Sequence, residues 1–129
     1  MDAKAPQDPH LDHGIQDALF RGLLAVLNSG QDASEMLAAV QNFSLRHFEA
    51  EEHLMARHGY PDTPAHRAEH RRLLGEVQAM CTRDPADPAL ADVVAGVMAQ
   101  MRTHIDEVDK RLADYLRAQE AGAHRGTSD

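Results

Sequence analysis

The sequence predicts an all-α protein, an up-down-up-down antiparallel four-helix bundle, and three observations lead there. Ala, Leu, Glu, Gln and Arg dominate a chain of 129 residues with only 4% aromatics, a composition that suits helices. Apolar residues recur at three-and-four spacing along four stretches. Helix start and stop signals separate those stretches by a few residues, so successive helices run antiparallel.

Helix A is expected over about 9–28, from Asp8-Pro9 to the stop at Asn28-Ser29-Gly30, with Phe20, Leu23, Leu24 and Leu27 on its stripe. An aspartate before proline can cap free amides, and proline at the first helical position forfeits no hydrogen bond. Helix B, about 33–58, opens at Asp32-Ala33-Ser34-Glu35, which has capping-box spacing. It carries Met36, Val40, Phe43 and Leu54 and stops at His58-Gly59-Tyr60-Pro61. Helix C, about 64–81, follows Thr63-Pro64, carries Leu73, Leu74, Val77 and Met80, and stops at Cys81-Thr82-Arg83-Asp84-Pro85. Helix D, about 88–119, follows Asp87-Pro88 and carries Leu90, Val94, Val97, Met101, Val108, Leu112 and Tyr115. These helices make one domain over 1–120, and the small, polar stretch 121–129 reads as a flexible tail.

Bulk properties exclude several classes. The net charge of −8 and the lack of a basic stripe argue against nucleic acid. No apolar run approaches the roughly 18 residues of a membrane span, and Met1 to Gln7 lack a secretory apolar region, so a cytoplasmic location is expected. Cys81 is the single cysteine, which leaves stability to the core.

The informative residues are polar ones on the apolar stripes. Helix B reads Phe43, His47, Glu51, Leu54; helix C reads His66, His70, Leu73, Val77; helix D reads Met101, His104, Val108, with Asp109 beside it. Six ionisable groups thus point inward, and burying them unpaired would cost several kcal/mol each. His47 and Glu51 are four apart, as are His66 and His70, so each pair shares a helix face and can reach one metal or two adjacent ones. Asp109 follows His104 by five residues, an offset of about 140° on an α-helix, which suits a short carboxylate reaching between two metals. Counted from Pro64 and from Gly59, the four groups on B and C lie at comparable depth.

Written out, His47-Phe48-Glu49-Ala50-Glu51-Glu52-His53-Leu54-Met55-Ala56-Arg57-His58-Gly59-Tyr60-Pro61, then His66-x-x-x-His70, then His104-Ile105-x-x-x-Asp109, resembles the hemerythrins, the bacterial members most, over about His47 to Leu116. The resemblance implies two iron ions (Fe2+/Fe3+), oxo- or hydroxo-bridged, with Glu51 and Asp109 bridging them. It further implies that His66, His70 and His104 complete one iron. His47 and a helix-A histidine would hold the other, which keeps an open position for dioxygen. Helix A departs from the pattern: reading Leu19-Phe20 as the family's apolar pair puts Gln16 at the ligand position. His13 is preferred, because His13–His47 and His70–His104 both span 34 residues and because its depth after Pro9 matches that of His66 and His70 after Pro64. Gln16 and His10 stand as the alternatives. A second departure, Gln100-Met101 where the family usually shows Trp-Leu, implies a looser, wetter pocket with Met101 facing the metals.

The remaining polar residues are read blandly. His53 is expected in solvent, His58 at the dipole end of helix B, His124 in the tail, and Arg67, Glu69, Arg71 and Arg72 on a solvated face. Cys81 is expected to be a small core or loop residue. Reversible dioxygen binding for storage, delivery or sensing is the function expected. The alternative is a di-iron enzyme acting on oxygen, peroxide or nitric oxide. Ferritin-like oxidation is disfavoured because the chain lacks Glu-x-x-His, and the stripes show no second substrate pocket.

Overall fold

A computed structural model describes the chain over residues 9–128, with side chains described over 13–122. Helices α1 (Pro9–Asn28), α2 (Ser34–His58), α3 (Thr63–Cys81) and α4 (Leu90–His104) follow in order, and α4 passes through a π-helical turn, Ile105–Asp109, into α5 (Lys110–Ser128). The last three elements form one rod, so the bundle has four rods. α1 packs on α2 and α4, and α3 packs on α2 and α4, which closes an antiparallel ring. The helix runs past Ala121-Gly122, where the sequence placed a stop, to Ser128. Among the described residues no helix is long and apolar enough to cross a membrane.

The ends of the helices follow local chemistry with some changes from expectation. The Asp8 cap lies outside the described residues. Asp32 accepts hydrogen bonds from both the Ser34 amide and hydroxyl, an Asx turn that starts α2 without a reciprocal bond from Glu35. Thr63 does not cap α3. Its hydroxyl instead donates to the Tyr60 carbonyl at 2.6 Å and so ties the preceding turn. Asp87 accepts from the Ala89 amide, and α4 begins at Leu90, two residues later than the proline implied. α2 stops at Gly59, whose φ of 61° is left-handed, and the Tyr60 amide reaches back to the Met55 carbonyl at 3.0 Å.

Two apolar clusters flank the middle of the bundle. The larger one, built around Phe20, Leu23, Leu73, Val77, Leu90 and Val94, fills one end. Each fully buried Leu or Phe contributes about 1.5–3 kcal/mol by leaving water. The smaller one, Met55, Tyr60 and Leu112 with Tyr115 and Leu116 against them, closes the other. Tyr115 seals that end by donating its hydroxyl to the His58 carbonyl at 2.9 Å. On α2 the buried face is turned one residue from the expected stripe: Leu37, Val40, Ser44, Phe48 and Met55 are inside, while Met36, Phe43 and Leu54 are only partly covered. His47 and Glu51 lie on the buried face in both readings.

The π turn corrects a second expectation. In an unbroken α-helix Asp109 would be swung far from His104, with Val108 on the seam. A turn closed by i→i+5 bonds is one residue wider, so residue 109 returns to the face of residue 104. Asp109 is accordingly buried and Val108 only partly so.

Two glycines test this backbone reading with opposite signs. Gly59→Ala forces a side chain into left-handed backbone and should lower stability by about 1–2 kcal/mol. Gly75→Ala, in the interior of α3 with open space around the new carbon, should raise it by roughly 0.5–1 kcal/mol. Urea midpoints of the two variants check both.

Candidate metal centre

Seven side chains meet between the two apolar clusters. α1 brings His13, α2 brings His47 and Glu51, α3 brings His66 and His70, α4 brings His104, and the π turn brings Asp109. His47, Glu51, His66, His70, His104 and Asp109 are buried, and His13 is nearly so. Their donor atoms fall into two sets, each within a span of 4.8 Å: Glu51, His66, His70, His104 and Asp109 form one, and His13, His47, Glu51 and Asp109 form the other.

The carboxylates belong to both sets because each divides its two oxygens. Glu51 Oε1 faces His66 Nε2 at 3.1 Å and His70 Nε2 at 2.9 Å, while Oε2 faces His47 Nε2 at 3.2 Å and His13 Nε2 at 3.6 Å. Asp109 Oδ1 faces His66 Nε2 at 3.0 Å and His104 Nε2 at 2.9 Å, while Oδ2 faces His13 Nε2 at 2.8 Å. The result is a three-histidine half and a two-histidine half joined by two carboxylates. His104 Nε2 and Asp109 Oδ1, though close, are not aligned as a hydrogen bond, and both nitrogens of His104 are buried without one. Imidazole nitrogens and carboxylate oxygens converging this way fit divalent transition-metal ions.

Of the three helix-A candidates, His13 reaches the two carboxylates. Gln16, 2% exposed, does not join either set: its amide donates to Ser44 Oγ at 3.3 Å and to Met101 Sδ at 3.4 Å. The side chain of His10 lies outside the described residues, as does that of His124. Met101 is buried and accepts this bond.

The family model described as Hemerythrin HHE cation binding domain matches residues 10–116. This chain belongs to the hemerythrin family. It is also 30% identical over 96 residues to the bacteriohemerythrin of Methylococcus capsulatus, covering 73% of each chain. No solved structure matches it.

Several features around the histidine–carboxylate cluster of this hemerythrin are not visible in its sequence. Phe48 stacks on His70 with centroids 4.0 Å apart and planes within 9°, and it meets His104 edge-on at 5.7 Å. The stripe rotated by one residue is the reason it went unread as core. Glu52 accepts from His70 Nδ1 at 2.8 Å and pairs with Arg67 at 3.3 Å. Glu69, gripped twice by Arg72, stands 3.7 Å from His104 Nδ1. Part of the presumed solvated face of helix C therefore surrounds the centre, a placement that depends on which way α3 is turned. A cavity of about 330 Å³ also opens onto His13, Glu51 and Asp109, with Ile105, Leu112 and Leu116 among its walls. The stripes showed no such pocket because its walls arise after the π turn has shifted the register.

Without metal, burial and mutual charge act against each other at His13, His47, His66, Glu51 and Asp109. Burial disfavours the imidazolium of His13, but hydrogen bonds and charge from Asp109 and Glu51 outweigh it and push the group up to about 9. His66 is pushed up to about 9 by the same balance, and His47 is raised by Glu51. Burial opposes ionisation of Glu51 and Asp109, yet the surrounding histidines hold both well below the usual carboxylate range.

A pH dependence of the metal-free protein follows. His13 and His66 have ordinary values of 6.5 and folded values of about 9, so their stabilisation is fully present below pH 6.5 and is lost as pH rises through 9. The metal-free melting temperature should therefore fall between pH 6.5 and 9. Metal-loaded protein, whose histidines bind as neutral ligands, should show no such fall. Parallel thermal scans of both forms check this.

Proposed function

We propose that this chain binds dioxygen reversibly at a non-haem di-iron centre, with His13, His47, Glu51, His66, His70, His104 and Asp109 as its ligands. The observation that carries the reading is asymmetry. One half of the cluster presents three histidines and two carboxylate oxygens, the other presents two histidines and two carboxylate oxygens, and the cavity opens on the poorer half. The bound iron ions would supply the electrons and the vacant position that dioxygen needs.

The chain's own residues supply the rest. Glu51 and Asp109 join the two halves through their divided oxygens. Five neutral imidazoles against two carboxylates favour the ferrous state over the high-valent chemistry of carboxylate-rich sites. Ile105, Leu112, Ala113 and Leu116 give the cavity beside His13 apolar walls, with Asp106, Lys110 and Arg117 also lining it. Phe48, flat against His70, shields the centre from within the bundle. The family membership and the bacteriohemerythrin relative support the same reading.

The cavity favours one second reading. Its volume of about 330 Å³ exceeds what a diatomic ligand requires, leaving room for a reactant beside it, as in an enzyme acting on oxygen, peroxide or nitric oxide.

Visible absorption of anaerobically reduced protein, before and after air, separates the two, with iron counted on the same sample. Oxygen carriage predicts a colourless form that gains a charge-transfer band and loses it when oxygen is removed, with two irons per chain. Immediate and irreversible conversion to a ferric spectrum would support the enzyme reading, and a chain without iron would overturn both.

A further inference from the structure

The three-histidine half of the cluster has a support of its own. His70 is fully buried, and its Nε2 is directed at Glu51 Oε1 at 2.9 Å. Its other nitrogen, Nδ1, lies 2.8 Å from Glu52 Oε2. Glu52 is the residue next to Glu51 on α2, so one helix presents a carboxylate to each nitrogen of the same ring. Arg67, on α3 three residues before His70, pairs with the other oxygen of Glu52 at 3.3 Å. Phe48 lies flat on the ring at 4.0 Å and fixes its plane.

We propose that Glu52, held by Arg67, is a positioning residue for His70. Its carboxylate accepts the Nδ1–H, which sets the tautomer and leaves the Nε2 lone pair aimed into the centre. A carboxylate in that role also makes the imidazole a stronger donor. No equivalent hydrogen bond forms at His104, where Glu69 stands beyond hydrogen-bonding distance at 3.7 Å. His70 is thus the ring of this half that is fixed on an edge by hydrogen bonding and on a face by stacking. The inference rests on the metal-centre reading but not on dioxygen.

The test uses zinc(II), a colourless and diamagnetic probe, with the full chain labelled with 15N in histidine. Zinc affinity is measured by competition with a chelator, and the Nδ1–H of His70 is followed by NMR. Glu52→Ala should weaken zinc binding by about 10- to 100-fold. Glu52→Gln, which keeps an acceptor but not the charge, should weaken it by less. In both variants the His70 Nδ1–H resonance should leave its strongly hydrogen-bonded position. Glu49→Gln makes the same charge change at an exposed site of α2 and should match the wild type in both readouts. Unchanged affinity in Glu52→Ala, an unmoved Nδ1–H signal, or an equal loss in Glu49→Gln would each overturn the assignment. A wild-type chain that takes up no zinc would instead overturn the metal-centre reading, and this inference with it.

Discussion

Two carboxylates shared between two sets of histidines are the constraint on which the rest of the molecule depends. Glu51 and Asp109 lie at the middle of a four-helix bundle, where an isolated charge would be severely destabilising. Each is tolerable because histidines from other helices surround both its oxygens. His13 and His66 face both carboxylates, so removing either carboxylate would leave the histidines that face it alone without their buried counter-charge. The cluster therefore acts as one unit, and its seven members restrict how the helices can turn and slide.

That demand explains the local irregularities. On α2, His47 and Glu51 face inward together with Phe48, which lies against His70, while Phe43 and Leu54 are only partly covered. The fourth rod inserts a π turn between His104 and Asp109, which brings both to one face. The two apolar clusters, one at each end, then bury what the polar layer does not. The same turn shifts the register of everything after it, so Ile105, Leu112 and Leu116 come to wall a cavity beside His13. A device that places one carboxylate thus also shapes the approach to the poorer half of the centre.

How much of this could be read beforehand depends on what each feature depends on. Helices, their order and the inward histidines follow from spacing and punctuation, which are local. His13 was reachable through a symmetry argument, because the two hairpins place their histidines 34 residues apart. The π turn was not legible, since a five-residue interval between His104 and Asp109 is compatible with an α-helix and a reaching side chain. Glu52 and Glu69 were missed for a different reason. Both look like ordinary surface acids, and only the packing of α2 on α3 and of α3 on α4 shows them next to His70 and His104. Gln16 and Met101 show the same limit: the buried bond between them joins residues 85 positions apart.

Glu51 and Asp109 are proposed each to serve two metal positions at once. The most direct measurement is anomalous X-ray diffraction at the iron edge from crystals of the iron-loaded chain. Two anomalous peaks per chain are expected, one among His66, His70 and His104 and one beside His13 and His47, with both carboxylates between them. A single peak, or peaks away from these side chains, would contradict it.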